Sequence, residues 1–147
     1  MQTANRQDKT VAGRSRRLLR FLPAFLWMGV IFLLSSRTGD EMNTFLPWFQ
    51  ALFPAMSGFD WGHFVAYFIL AVAFDYGFGR SSDRLSFKLL IVLLCLLYGV
   101  SDEYHQSFVG GRSPDIHDLR NDMIGAALAV IFLAVPFVRR QWRKWAS

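Results

Sequence analysis

Four apolar runs punctuate the chain: "FLPAFLWMGVIFLL" (21–34), "GHFVAYFILAVAFDYGF" (62–78), "LLIVLLCLLYGV" (89–100) and "MIGAALAVIFLAVPFV" (123–138). A membrane-crossing helix takes roughly 17–25 predominantly apolar residues. Taken singly the runs are short, and each could equally be a buried helix of a soluble protein. Each reaches spanning length only by including the polar residues at its flanks. Residues 1–17 are polar and lack apolar periodicity, which predicts a disordered tail. The segment 37–60 is a long connection carrying Phe45, Trp48, Phe49 and Phe53. It reads either as a short interfacial helix, limited by Pro47 and Pro54, or as an irregular loop with aromatics at the membrane boundary. "GRSSDRLSFK" (79–88) is a short polar turn, and Gly110, Gly111 and Pro114 make a turn of 107–117.

Charge placement separates the membrane reading from the soluble one. With four spans and the N-terminus in the cytoplasm, the basic residues up to Arg20, those of the 79–88 loop, and Arg139, Arg140, Arg143 and Lys144 all share one side. That side holds 13 of the 16 cations, leaving Arg37, Arg112 and Arg120 opposite. This is the asymmetry of the positive-inside rule. The expectation is an all-α membrane protein, a bundle of four transmembrane helices with both termini cytoplasmic. Residues 1–17 and 140–147 would be basic tails and 18–139 the membrane domain. A basic leader before an apolar run can also be a signal peptide. The following "SSRTGDEM" lacks a small-x-small cleavage site, so a retained span is expected. The net charge of +5 does not imply nucleic acid as a partner. The cations flank spans, where they anchor against anionic lipid head groups of the bilayer. The lone Cys95 lies inside a span and reads as a packing residue.

Helical spacing gathers the remaining polar residues. Asp60, His63 and Tyr67 share a face of the second span; Asp102, Glu103 and Gln106 share a side of the third, flanked by His105. On the fourth, Asp118, Asp122 and Gly125 align beside Asn121, and the first span ends in Ser35 and Ser36. All four stripes fall at the extracytoplasmic end. Polar groups at membrane depth need internal partners, so they are expected to converge between helices. At the opposite end Asp75 stands alone, with Arg80 or Arg84 expected to neutralise it.

"YGVSDEYHQSFVGGRSPDIHDLRNDMIGA" resembles the signature of VanZ-like membrane proteins: an acidic-x-x-Gln, a Pro-Gly-Arg turn, an Asp after the Arg, and an Asp or Asn followed by x-x-Gly. Here these are Glu103, Gln106, Gly111, Arg112, Asp118, Asp122 and Gly125. "DWGHFVAYFIL" is similar to the family's Asp-Lys-x-x-His-x-x-x-Tyr segment through Asp60, His63 and Tyr67. Trp61 stands where the family often has Lys, and Gly110 where it usually has Pro. The resemblance covers roughly residues 20–138. It implies a bacterial cytoplasmic-membrane location, multi-pass, and a role in resistance to the glycopeptide teicoplanin, without a settled biochemical activity.

Three readings of the polar crown remain open. In the first it binds or modifies a lipid-linked or amphiphilic envelope precursor. Arg112 would clamp an anion, being set otherwise against Asp115 or Asp118 as a turn-fixing salt bridge. His63, Glu103 and Asp118 are the catalytic candidates, with His63 or His105 as general base and His117 without a role. Asp60, Tyr67, Asp102, Gln106 and Asp122 complete the binding surface. Glu103, Asp118 and Asp122 could hold Mg²⁺ or another hard divalent cation. Zinc is less expected because the histidines lack H-E-x-x-H spacing, and Ser101 and Ser107 are weak nucleophile candidates. In the second reading the crown is a structural ion-pair network in a partner-binding protein. In the third it starts a proton or cation path, for which the segment around Cys95 and Ala129 offers no polar continuation. No GxxxG spacing marks a helix-dimer face.

Overall fold

The computed structural model describes residues 17–41, 44, 47, 51 and 60–146. The expected N-terminal tail to residue 16 and the aromatics Phe45, Trp48, Phe49 and Phe53 lie outside them, as does the side chain of Asp60. Helix α1 is Leu22–Ser35, α2 Asp60–Phe78, α3 Leu85–Gln106, α4 Ile116–Ala134 and α5 Pro136–Ala146, with a 3₁₀ turn at Gly79–Asp83. Among the described residues there is no strand. The protein is all-α, and three segments (Arg17–Ser35, Trp61–Asp83, Leu85–Gln106) are long and apolar enough to cross a membrane. The bent pair α4–α5 brings the count to four.

Local sequence accounts for the boundaries. Pro23 sits in the first turn of α1, where a missing N–H leaves no acceptor unserved. α2 ends at Gly79, whose φ of +58° suits only a residue without a Cβ. α4 starts at Asp115, whose Oδ1 accepts from the His117 N–H at 2.8 Å as an N-cap. The fourth apolar run continues to Val138 in sequence, yet α4 stops at Ala134. Val135 is extended and Pro136 cannot donate to the preceding turn, so α5 leaves at 91° to α4. The stretch expected as a basic tail from residue 140 is thus the second half of a helix.

α2 lies at the centre, touching α1, α3 and α4. Tyr67, Leu70, Ala71 and Phe74 pack against Ile91, Cys95, Ala126 and Ala129. Leu89, Leu93, Leu97 and Val100 on α3, and Phe25, Leu26 and Leu33 on α1, point outward. Apolar side chains on both the inner and outer faces are the pattern of helices surrounded by lipid. Two polar links between spans end on backbone oxygens: Trp27 Nε1 donates to Ala66 O at 2.8 Å and Tyr98 Oη to Met28 O at 2.6 Å. Each joins neighbouring helices without leaving a donor in the apolar layer.

The basic end is locked by an ion-pair cluster. Arg143 of α5 grips Asp75 through both terminal nitrogens (2.7 and 3.2 Å) and reaches Asp83 at 3.0 Å and Ser82 Oγ at 2.7 Å. Trp142 Nε1 adds a bond to Asp75 Oδ1 at 2.9 Å. The partner of Asp75 is therefore Arg143 rather than the expected Arg80 or Arg84. Arg20 donates to Tyr76 O and Ala146 O and stacks over the Tyr76 ring, tying the chain before α1 to α2 and α5.

Candidate functional site

The carboxylate-rich cluster forms where α1 and α3 end and α2 and α4 begin. Its geometry starts from two glycines. Gly125 on α4 lies against the backbone carbonyl of Phe64 on α2, so closely that an added Cβ would overlap it. Together with Ala129 this makes a small-x-x-x-small contact, used here within the chain to bring α2 and α4 together. One and two turns before Gly125, Asp122 and Asp118 then face His63, the neighbour of Phe64. Gly99 performs the same service for α3: a Cβ there would sit 2.7 Å from Asp122 Oδ2 and 3.5 Å from Tyr67 Oη. Glu103, one turn beyond Gly99, joins the same group.

His63 Nδ1 lies 2.8 Å from Asp122 Oδ1, and Nε2 lies 3.6 Å from Asp118 Oδ2. Asp122 is fully buried and orients the imidazole from behind. Donor atoms of His63, Glu103 and Asp118 lie within 4.8 Å of one another. Of the residues expected to hold a cation, Glu103 and Asp118 belong to this group; Asp122 stands behind His63 instead. Glu103 also ties down the α3–α4 turn, its Oε2 accepting from the Asp115 N–H at 2.9 Å.

A second limb runs beside the first. Ser35 Oγ and Gln106 Nε2 both donate to Asp102 Oδ2, at 2.9 and 3.1 Å, and Arg112 Nη1 donates to Gln106 Oε1 at 3.0 Å. Arg112 thus meets Gln106 rather than the expected Asp115 or Asp118. Its remaining guanidinium N–H groups have no partner among the described residues. Gly111, at φ +74°, allows the turn that presents it. Four atoms of the cluster are buried without a hydrogen-bond partner among the described residues: Tyr67 Oη, Asp102 Oδ1, Glu103 Oε1 and Asp122 Oδ2.

Other candidates lie apart. His105 stacks on Phe32 with ring centroids 4.3 Å apart and meets Ser36 Oγ at 3.0 Å, on the outer side of α3. His117 is exposed, and its backbone N–H donates to Asp115 Oδ1 at the start of α4. Ser101 and Ser107 are exposed and bond back to Tyr98 O and Tyr104 O of their own helix, a poor position for a nucleophile. Ser35 and Asn121 were only flanking residues in the sequence pattern; both are buried, Ser35 as a donor to Asp102 and Asn121 as an acceptor from Arg120. Their helical phase was visible, their burial was not.

Neither the curated proteins nor the solved structures give a match to this chain. The VanZ/LLP1 family matches residues 20–138. That range runs from the last arginine before α1 into α5, and it takes in both limbs of the cluster. A bundle of apolar helices, the acidic and histidine positions on three of them and the extent of this match agree, and the chain belongs to the VanZ/LLP1 family of membrane proteins.

Proposed function

We propose that the cluster is a site facing the extracytoplasmic side that binds or modifies the anionic head of a lipid-linked or amphiphilic cell-envelope molecule. The basic end, with Arg80, Arg84, Arg139, Arg140 and Lys144, would face the cytoplasm of a bacterium, in keeping with the positive-inside rule. The observation that carries this reading is the set of four buried polar atoms without hydrogen-bond partners among the described residues. An unsatisfied buried polar group costs about 1–3 kcal/mol. A purely structural network would be expected to close on itself, whereas a ligand site keeps atoms in reserve.

The roles follow from the geometry. Arg112 has guanidinium N–H groups to spare for a phosphate or carboxylate. His63, its Nδ1 held by Asp122, turns Nε2 toward Asp118 and Glu103, the disposition of a general base or of a ligand contact. Tyr67 and Asp102 would supply further polar contacts, with Asp60 at the head of α2. Protection against glycopeptides such as teicoplanin would then follow from alteration of the envelope molecule itself.

A second reading, a structural network in a partner-binding protein, is favoured by the Ser35–Asp102–Gln106–Arg112 chain, whose bonds are mutual. Three variants separate the two. Arg112→Lys, Glu103→Gln and Asp118→Asn are expected to insert normally, melt close to wild type in detergent, and fail to restore envelope-precursor composition and teicoplanin susceptibility to a deletion strain. Loss of all three from the membrane fraction would instead favour the structural network. In a Cys95→Ser background, a membrane-impermeant thiol reagent on intact cells should label a cysteine at position 112 and spare one at 84. The reverse pattern would invert the topology.

A further inference from the structure

We propose that His63, Glu103 and Asp118 bind a divalent transition-metal ion of the zinc or manganese kind, with Asp122 as the residue that holds the imidazole from behind. This rests on the reading of the cluster as a ligand site and names the ligand's first element. It differs from the hard-cation set of Glu103, Asp118 and Asp122 suggested by the sequence pattern, because the fold puts His63 where Asp122 was expected.

Three observations carry it. First, His63 Nδ1 lies 2.8 Å from Asp122 Oδ1, which fixes the ring so that Nε2 is presented to Asp118 Oδ2 at 3.6 Å. Histidine ligands usually donate their other ring N–H to a carboxylate in this way. Second, Glu103 is more than nine-tenths buried, its Oε2 occupied by the Asp115 N–H and its Oε1 without a partner among the described residues. That is a carboxylate fixed at one oxygen and available at the other. Third, one ligand atom each of His63, Glu103 and Asp118 lies within 4.8 Å of the other two.

Ligands about 2.1 Å from an ion lie roughly 3.0–3.5 Å apart. His63 and Asp118 already approach that spacing, and Glu103 lies within 4.8 Å of both. An imidazole nitrogen among the ligands selects zinc, manganese or iron over magnesium, which prefers an all-oxygen and partly hydrated shell. Three protein ligands leave further positions open to water or to an oxygen of the bound head group.

The test uses the full chain purified in detergent, stripped with chelator, and titrated calorimetrically with Zn²⁺, Mn²⁺ and Mg²⁺. The expected result is equimolar binding of Zn²⁺ and Mn²⁺, at least ~10-fold tighter than Mg²⁺, with a rise in melting temperature. His63→Gln and Glu103→Gln should each abolish that binding while keeping wild-type helicity by circular dichroism. Asp122→Ala should weaken it by roughly 10–100-fold. A Co²⁺ visible spectrum of the wild-type protein, lost in His63→Gln, reports imidazole ligation without relying on variant stability. Failure of stripped, folded wild-type protein to bind Zn²⁺ or Mn²⁺ at millimolar concentration would overturn the metal site. So would binding unchanged in His63→Gln. If metal binding fails in this way while Glu103→Gln and Arg112→Lys still insert and lose the cellular phenotype, the envelope-ligand reading stands and this inference alone falls.

Discussion

Gly125→Ala will destabilise the detergent-purified protein, whereas Gly29→Ala will leave it unchanged or make it more stable. Both glycines lie within helices, where alanine is preferred by roughly 1 kcal/mol. At Gly29 an added methyl group meets nothing within 4 Å, so that preference should show through. At Gly125 the methyl group would overlap the carbonyl of Phe64, a backbone atom that moves only if α2 moves. Overpacking of this kind costs about 1–3 kcal/mol, enough to offset the helical gain and reverse its sign. The same displacement separates His63 from Asp122, so ligand binding should weaken along with stability. Thermal melts of the two variants side by side provide the measurement. Equal behaviour at the two positions would mean that the close approach of α2 and α4 is not as described.

Arg143→Ala should be the most damaging single change at the opposite end of the bundle. Asp75 is buried completely, and Arg143 is its only cationic partner among the described residues. Removing the guanidinium leaves a carboxylate held only by Trp142 Nε1, and breaking a buried pair in this manner costs about 3–5 kcal/mol. Arg140→Ala, on the exposed side of the same helix, should be nearly silent. Replacing both partners with apolar residues, Asp75→Leu with Arg143→Met, should recover much of the loss, since the desolvation of both charges disappears. Chemical denaturation of the single and double variants gives the coupling directly. An Arg143→Ala protein as stable as Arg140→Ala would show that α5 does not lock the bundle.

These two positions mark the difference between what could be read along the chain and what could not. The spans were legible because lipid accepts only long apolar helices, and the cations flanking them suggested an orientation. The polar stripes were legible as well. Helical periodicity places Asp118, Asp122 and Gly125 on one face, and His63 and Tyr67 on another, whatever surrounds them. Pro136 carried a local signal for the end of α4 that the apolar run through Val138 obscured.

Periodicity says which residues share a face, not which face meets which neighbour. The meeting of His63 with Asp122 spans 59 residues, and that of Arg143 with Asp75 spans 68. Both depend on how nearly two helices approach and on the angle at which a third departs. Gly125 and Gly99 set the first by having no side chain to hold the helices apart, and the break before Pro136 sets the second. Membership of the membrane class and the inventory of reactive side chains are therefore properties of the linear pattern. The division of labour among them, with His63 in front and Asp122 behind it, Arg112 on Gln106 and Arg143 on Asp75, arises from packing, because distances of a few ångströms between remote residues have no trace in local spacing.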